Sequence, residues 1–219
     1  MIRRAAALAA LVAMIPAIST AANMSHIDAY VTPYYNSTGP VIRVGPYSAG
    51  LASSDPKRFV GTIQQMKKRW ASLSFVELYV AAMRLYDLGY RNEATYWFYS
   101  AQYAGRQYQA LVDQKKLGSI GDAGFELLHA QDAFFQLAGP YVNSFAFSDD
   151  RTTKAILQKV RDDRRSVPDM RRIYPGVAFI AQSQWAAINA QIDSGLGQLE
   201  AQLPHRPSGL TSRGFPGGF

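Results

Sequence analysis

Hydrophobic residues recur every three or four positions through the middle of the chain, a spacing that predicts amphipathic α-helices. The clearest stripe follows Ser74, which can cap a helix that Gly89 can end in a left-handed conformation. Polar residues such as Glu77 and Asp87 fall away from this stripe. Its apolar members are Phe75, Leu78, Tyr79, Ala82, Leu85 and Tyr86. No alternating apolar–polar run is long enough to predict a sheet.

Capping and breaking residues divide the pattern into about six helices. The first has Ser54 or Asp55 as its cap and Pro56 at its first position. The fourth is expected to close at Gly139-Pro140. The predicted helices span residues 56–71, 75–88, 93–114, 122–138, 149–165 and 177–203. The sequence therefore predicts an all-α domain over residues 54–203, folded as a bundle or a short solenoid.

The segments that flank this domain have turn-rich compositions. Residues 23–53 contain three prolines and three glycines and predict an extended arm laid on the body. Residues 204–219 contain three prolines, four glycines and two arginines, which predicts a flexible tail.

Residues 1–22 have the three parts of a secretory signal peptide. Arg3 and Arg4 precede an uncharged apolar run, and small residues follow up to Ala21 and Ala22. About fourteen apolar residues are too few to span a bilayer. We expect cleavage after Ala21 or Ala22, a periplasmic or secreted protein, and no transmembrane segment in the mature chain.

Charge narrows the class of partner. The formal net charge is +7, and removal of a signal peptide with two arginines and no acid would leave +5. The basic residues form small scattered clusters, and no aromatic–basic nucleic-acid motif accompanies them. We therefore expect no nucleic acid and a protein partner, with the charge favouring an acidic one. The sequence does not indicate an oligomeric state.

The segment from Ala81 to Gly105 predicts two antiparallel helices joined by a short link, with Asn92 as the cap of the second. One face of the second helix alternates small and large residues, which suits close packing. The residues of this face are Ala94, Trp97, Ala101, Ala104 and Tyr108. The segment resembles one hairpin of the Sel1-like and tetratricopeptide helical-repeat proteins through Leu85, Gly89, Ala94, Trp97, Phe98, Ala101 and Gly105. A repeat array needs several copies, so a single hairpin inside a bundle remains the alternative.

A second resemblance is to a loose set of exported bacterial proteins, and it implies no activity. Its residues are Glu93-Ala94, Trp97-Phe98-Tyr99, Asn143, Ala146-Phe147 and Asp149.

Few residues suggest catalysis. The chain has no cysteine and three histidines, which excludes thiol chemistry and multi-histidine metal centres. Glu126 and His129 have the Glu-x-x-His spacing of di-iron bundles, but such sites need a second copy and two further glutamates. We expect no cofactor, no metal and no enzymatic activity. The alternative is a cell-wall-active hydrolase with Glu77 or Glu126 as its acid.

A stripe of tyrosines is the unusual feature of the third predicted helix. Tyr96, Tyr99 and Tyr103 lie within about 60° of one another on a helical wheel, and Arg106 extends them. Tyrosine and arginine are enriched at binding hot spots, so this stripe is the predicted partner face. The alternative is a helix packed on both sides, with the hydroxyls bonded at the rim.

These patterns together predict an exported, non-enzymatic helical protein-binding module. A periplasmic immunity-type protein or an envelope scaffold would fit that description.

Overall fold

The computed structural model describes residues 44–203 and 211–218, and most of these residues lie in α-helices. The described residues contain no strand, and one isolated antiparallel bridge joins Val112 to Phe179. The helices are α1 (Ser48–Leu51), α2 (Pro56–Lys68), α3 (Phe75–Asp87), α4 (Arg91–Leu111), α5 (Ala123–Ala146), α6 (Asp150–Asp163), α7 (Met170–Ile173) and α8 (Trp185–Gln202). The predicted all-α class is confirmed. The predicted signal peptide and most of the predicted arm lie outside the described residues.

Side chains that cap helices set several of the predicted boundaries. The Asp55 carboxylate accepts the Lys57 N–H and starts α2. Ser74 and Glu77 form a reciprocal capping box at the start of α3. Gly89 follows α3 with a φ of +82°, a conformation that a residue with a Cβ adopts only with strain.

Helix α4 forms the centre of the fold. It packs against α3, α5, α6 and α8, and most of its 21 residues are buried. Trp97 is completely buried, and its face of Ala94, Ala101 and Tyr108 is buried with it. Gly105 allows α4 to approach α5, because a Cβ there would lie 1.8 Å from the Gln131 side-chain oxygen.

The predicted end of the fourth helix is wrong. Helix α5 continues through Pro140 to Ala146, although an internal proline loses one hydrogen bond and costs about 3 kcal/mol. The turns beyond it bury Val142 and Phe145 in the core. This burial explains why the helix continues, because each large apolar side chain contributes about 1.5–3 kcal/mol.

The sixth predicted helix starts later than its pattern suggests. Residues before Trp185 are held in extended form by the end of α4, since Asp113 donates to the Ala178 carbonyl and Ile180 donates to the Leu111 carbonyl. A 3₁₀ turn then leads into α8.

Both flanking predictions need correction where residues are described. Gly45–Tyr47 forms a 3₁₀ turn and α1 follows, so the end of the predicted arm is helical and packs on the core through Tyr47 and Leu51. At the other end, Thr211–Gly218, hereafter the tail segment, lies against the body rather than free of it. Within residues 44–203 and 211–218, no helix is both long enough and apolar enough to cross a membrane.

Candidate protein-binding groove

The predicted tyrosine face is not exposed. Tyr96, Tyr99 and Tyr103 are each at most 5% exposed, and Arg106 is half-buried. The helical wheel correctly places the tyrosine stripe and the alanine–tryptophan face on different sides of α4, but other helices cover both sides. The alternative of a helix packed on both sides therefore fits the described structure, and the three tyrosine rings are not accessible to a partner.

The buried hydroxyls of the stripe all have polar partners on neighbouring helices. Tyr96 donates to Asp163, Tyr99 donates to Asn143, and Tyr103 donates to Asn189. Burial raises the pKa of Tyr103 to about 12 and raises the pKa values of Tyr96 and Tyr99 further above their usual range. These tyrosines join α4 to α6, α5 and α8, which is a structural role.

Four side chains form a layered stack at one edge of α4. The rings of Trp70 and Tyr96 are stacked at 5.1 Å between their centroids. The Arg164 guanidinium lies 4.8 Å from the Trp70 ring, and the Lys159 ammonium lies 5.4 Å from the Tyr96 ring. Burial lowers the pKa of Arg164 to about 10.

The two carboxylates that the sequence suggested as catalytic groups accept hydrogen bonds at the starts of helices. Glu77 accepts hydrogen bonds from the backbone and side chain of Ser74. Glu126 accepts the Gly121 N–H, and the His129 ring packs edge-on against Phe125. No group of three or more metal-binding side chains converges within the described part of the chain.

A groove at the corner between α3 and α4 holds the tail segment. We define this tail groove by Lys67, Gly89, Tyr90, Asn92 and Glu93, which all contact the segment. The Arg213 N–H donates to the Gly89 carbonyl at 2.9 Å. The Asn92 N–H donates to Ser212 Oγ at 3.0 Å.

The second of these bonds completes the start of α4. Its N-cap residue is Tyr90, not the predicted Asn92, and Tyr90 supplies no side-chain cap. The first N–H groups of any helix need acceptors from outside the helix. Ser212 supplies one such acceptor from a segment 120 residues away in the sequence.

Phe215 anchors the tail segment. It is 8% exposed, and its ring lies edge-on to Tyr90 with 5.2 Å between centroids. The Lys67 ammonium lies 5.1 Å from the same ring, and the Arg213 guanidinium lies 4.8 Å from the Tyr90 ring. The other described residues of the segment are exposed or half-exposed. One aromatic side chain therefore provides most of the burial.

A Pro-Gly turn follows the anchor. The Gly218 N–H donates to the Phe215 carbonyl, and Gly217 has a φ of +66°, as the third residue of a type II turn requires. The turn brings Gly218 against Glu93. A Cβ at position 218 would lie 2.6 Å from Glu93 Oε2 and 2.8 Å from the Phe215 Cβ.

Glu93 and Lys67 form the floor of the groove. Their charged atoms are 2.6 Å apart, with the Glu93 side chain 1% exposed and that of Lys67 28% exposed. Glu93 also accepts the Trp97 indole N–H at 2.7 Å, and Lys67 donates to the Gly217 carbonyl at 3.3 Å. The pair thus connects the core helix to the tail segment.

An open cavity of about 340 Å³ continues from the groove. It is lined by Lys67, Trp70, Glu93, Tyr96, Lys159, Asp163, Gly217 and Gly218. The turn of the tail segment therefore forms one wall of a charged and aromatic cavity.

Sequence reasoning missed this groove because composition alone suggested a free tail. A signal was present in Phe215-Pro216-Gly217-Gly218, where an aromatic residue precedes a turn sequence. The contacts of Arg213 with Gly89 and of Ser212 with Asn92 join distant parts of the chain, and local sequence patterns do not predict such contacts.

Comparison with known proteins assigns no function. No protein-family model and no solved structure match the chain. The chain is similar to a protein of Haemophilus influenzae described as uncharacterized, with 26% identity over 125 residues. The match covers 55% of this chain and 46% of that relative, so the chain spans about half the length of the protein it matches.

Proposed function

We propose that the protein is an exported, non-enzymatic protein-binding module, and that an extended segment of its partner docks in the tail groove. The observation that carries this proposal is the tail segment itself, a stretch of chain without helix or strand that is held there by one aromatic anchor. A groove that holds one such segment has the shape and the hydrogen-bonding groups to hold another.

The contacts favour exchange over permanent attachment. Burial of one phenylalanine contributes about 1.5–3 kcal/mol. The conformational freedom that the segment loses when it is ordered opposes docking. Each hydrogen bond adds about 0.5–1.5 kcal/mol. Docking is therefore weak enough for a partner segment to compete.

The chemistry of the groove does not require an acidic partner. The segment that now occupies it carries Arg213, whose guanidinium packs on Tyr90, and it carries no carboxylate side chain. The net positive charge of the protein would act at longer range, chiefly on the association rate.

Export is part of the proposal and rests on the pattern of residues 1–22. A module secreted or held in the periplasm would suit an immunity-type or an envelope-scaffold role. Mass spectrometry of the envelope fraction should find a protein that begins at Ala22 or Asn23. Recovery of cytoplasmic protein that still begins at Met1 would contradict export.

The hydrolase alternative has less support. Glu77 and Glu126 accept hydrogen bonds that hold helix starts and turns. Glu93 is the carboxylate beside a cavity, but it is paired with Lys67 and the Trp97 indole. A general acid must reach its substrate, and the Glu93 side chain is 1% exposed and already held by two donors.

A competition experiment tests the binding site. The probe is a fluorescent peptide with the sequence of residues 211–218, titrated against the full chain and against full-length Phe215→Ala. The native segment is attached to the chain and so competes at a high effective concentration. The Phe215→Ala chain should therefore bind the probe at least about tenfold more tightly than the wild type.

Two control variants make this result specific. Gly214→Ala should behave as the wild type, because a Cβ there has no atom within 4 Å. Tyr90→Ala added to Phe215→Ala should abolish binding, because it removes the ring that packs on the anchor. Absence of binding to the folded Phe215→Ala chain at millimolar probe would overturn the proposed site.

A further inference from the structure

We infer that the partner is another protein with a segment of the following sequence: a hydroxyl residue, an arginine that packs on Tyr90, one position open to any small residue, a large aromatic residue, and then Pro-Gly-Gly. This inference rests on the proposed function and names the partner of the same groove. Each position follows from a contact of the tail segment.

The hydroxyl position is selected by the start of α4. Asn92 presents a backbone N–H that no side chain of α4 caps, and Ser212 Oγ accepts it. Capping oxygens of Ser, Thr, Asp or Asn contribute about 0.5–2 kcal/mol at such positions. A partner segment with alanine there would leave this N–H to water.

The aromatic position is selected by Tyr90 and Lys67. Their ring and ammonium group both contact Phe215, the one side chain of the tail segment that is buried. Aromatic residues that fill such a position are the usual hot spots of an interface.

The final glycine is selected by Glu93. A Cβ at position 218 would collide with the buried Glu93 carboxylate and with the anchor residue itself. Gly217 is needed for a different reason, because its φ of +66° is left-handed. By contrast, a Cβ at position 214 meets nothing within 4 Å, so this position accepts any small residue.

The occupant is a different protein rather than a second copy. A second copy's tail segment would make the same contacts as the native one while also losing translational freedom on association. The attached segment wins that exchange through its high effective concentration. A foreign segment can offset this advantage by making further contacts in the neighbouring cavity of about 340 Å³, whose lining includes the Lys159–Asp163 ion pair.

A peptide panel tests the inference on the full-length Phe215→Ala chain. The probes are the sequence of residues 211–218 and the same peptide with one substitution. Gly218→Ala and Phe215→Ala should each weaken binding at least about tenfold, and Ser212→Ala about two- to tenfold. Gly214→Ala is the matched control and should bind within about twofold of the unsubstituted peptide.

The outcomes separate the two claims. If no peptide binds, the tail groove does not accept a foreign segment, and the proposed function fails with the inference. If all peptides bind alike, the groove binds segments without this selectivity, and only the inference is overturned. If the wild-type chain doubles its mass in light scattering and Phe215→Ala does not, the occupant is a second copy, which also overturns the inference.

Discussion

At the residue scale, Glu93 is the point where the core and the tail groove meet. Its carboxylate accepts the Trp97 indole N–H, pairs with Lys67 from α2, and backs the turn at Gly218. A buried carboxylate is stable only when hydrogen bonds and a counter-ion offset its desolvation. Mutations in this group should therefore affect both the stability of the fold and the docking of the tail segment.

Truncation of Trp97 tests the core side of this group. Trp97→Ala should lower the free energy of unfolding by about 3–5 kcal/mol, the usual cost for a completely buried large aromatic. Trp97→Phe keeps most of the volume but loses the indole donor to Glu93, and should cost less. Urea unfolding measures both. Ile120→Ala is the control, because Ile120 is 75% exposed and its loss should change little.

At the element scale, helix boundaries were predictable where a side chain caps them and unpredictable where tertiary packing decides. Asp55, Ser74 and Gly89 act as the sequence indicates. Pro140 does not end its helix, because the residues beyond it are buried. The tyrosine stripe of α4 was located correctly on the wheel, but its exposure depends on α5, α6 and α8, and a helical wheel carries no information about them.

Two glycines in neighbouring helices test how closely α1 packs on α2. A Cβ at Gly50 would lie 2.8 Å from the stiff Thr62 Cβ, so Gly50→Ala should separate the helices and destabilise the protein by about 1–3 kcal/mol. Gly61 lies inside α2, and a Cβ added there would have no atom within 4 Å. Gly61→Ala should be neutral or stabilise by up to about 1 kcal/mol, because alanine favours the helix. Equal effects of the two substitutions on the melting temperature would contradict this packing.

At the scale of the whole molecule, the core is rich in buried tyrosine hydroxyls. Burial is the main cause that raises the pKa of each of them above the usual value of 10. The tyrosines are Tyr79, Tyr86, Tyr96, Tyr99, Tyr103, Tyr108 and Tyr174. These hydroxyls therefore stay protonated in the folded protein at a pH at which they ionise in the unfolded chain.

Stability should consequently fall above pH 10. Below pH 10 the tyrosines are protonated in both the folded and the unfolded protein, and their contribution to stability is complete. Above pH 10 each tyrosine lowers the free energy of unfolding by about 1.4 kcal/mol per pH unit until the pH reaches its pKa in the folded protein. Arg106 and Arg164 have lowered pKa values and act in the opposite direction, but they are two groups against seven tyrosines. Urea unfolding between pH 8 and about 10.5 measures the slope. Tyr99→Phe should reduce the slope of the free energy of unfolding against pH by the contribution of one tyrosine. A stability that is independent of pH across that range would contradict the burial of these hydroxyls.

The central claim for the whole molecule is that the tail segment is an exchangeable ligand of the tail groove. The most direct measurement is the fluorine NMR signal of 4-fluorophenylalanine placed at position 215 of the full chain. In the docked state the ring contacts Tyr90 and Lys67, and its signal should differ from that of the free peptide. Unlabelled peptide with the sequence of residues 211–218 should move the signal to the free position once its concentration exceeds the effective concentration of the attached segment, on the order of millimolar. A signal that stays at the docked position at peptide concentrations about tenfold above that value, while the protein remains folded, would show that the tail segment is a fixed part of the fold.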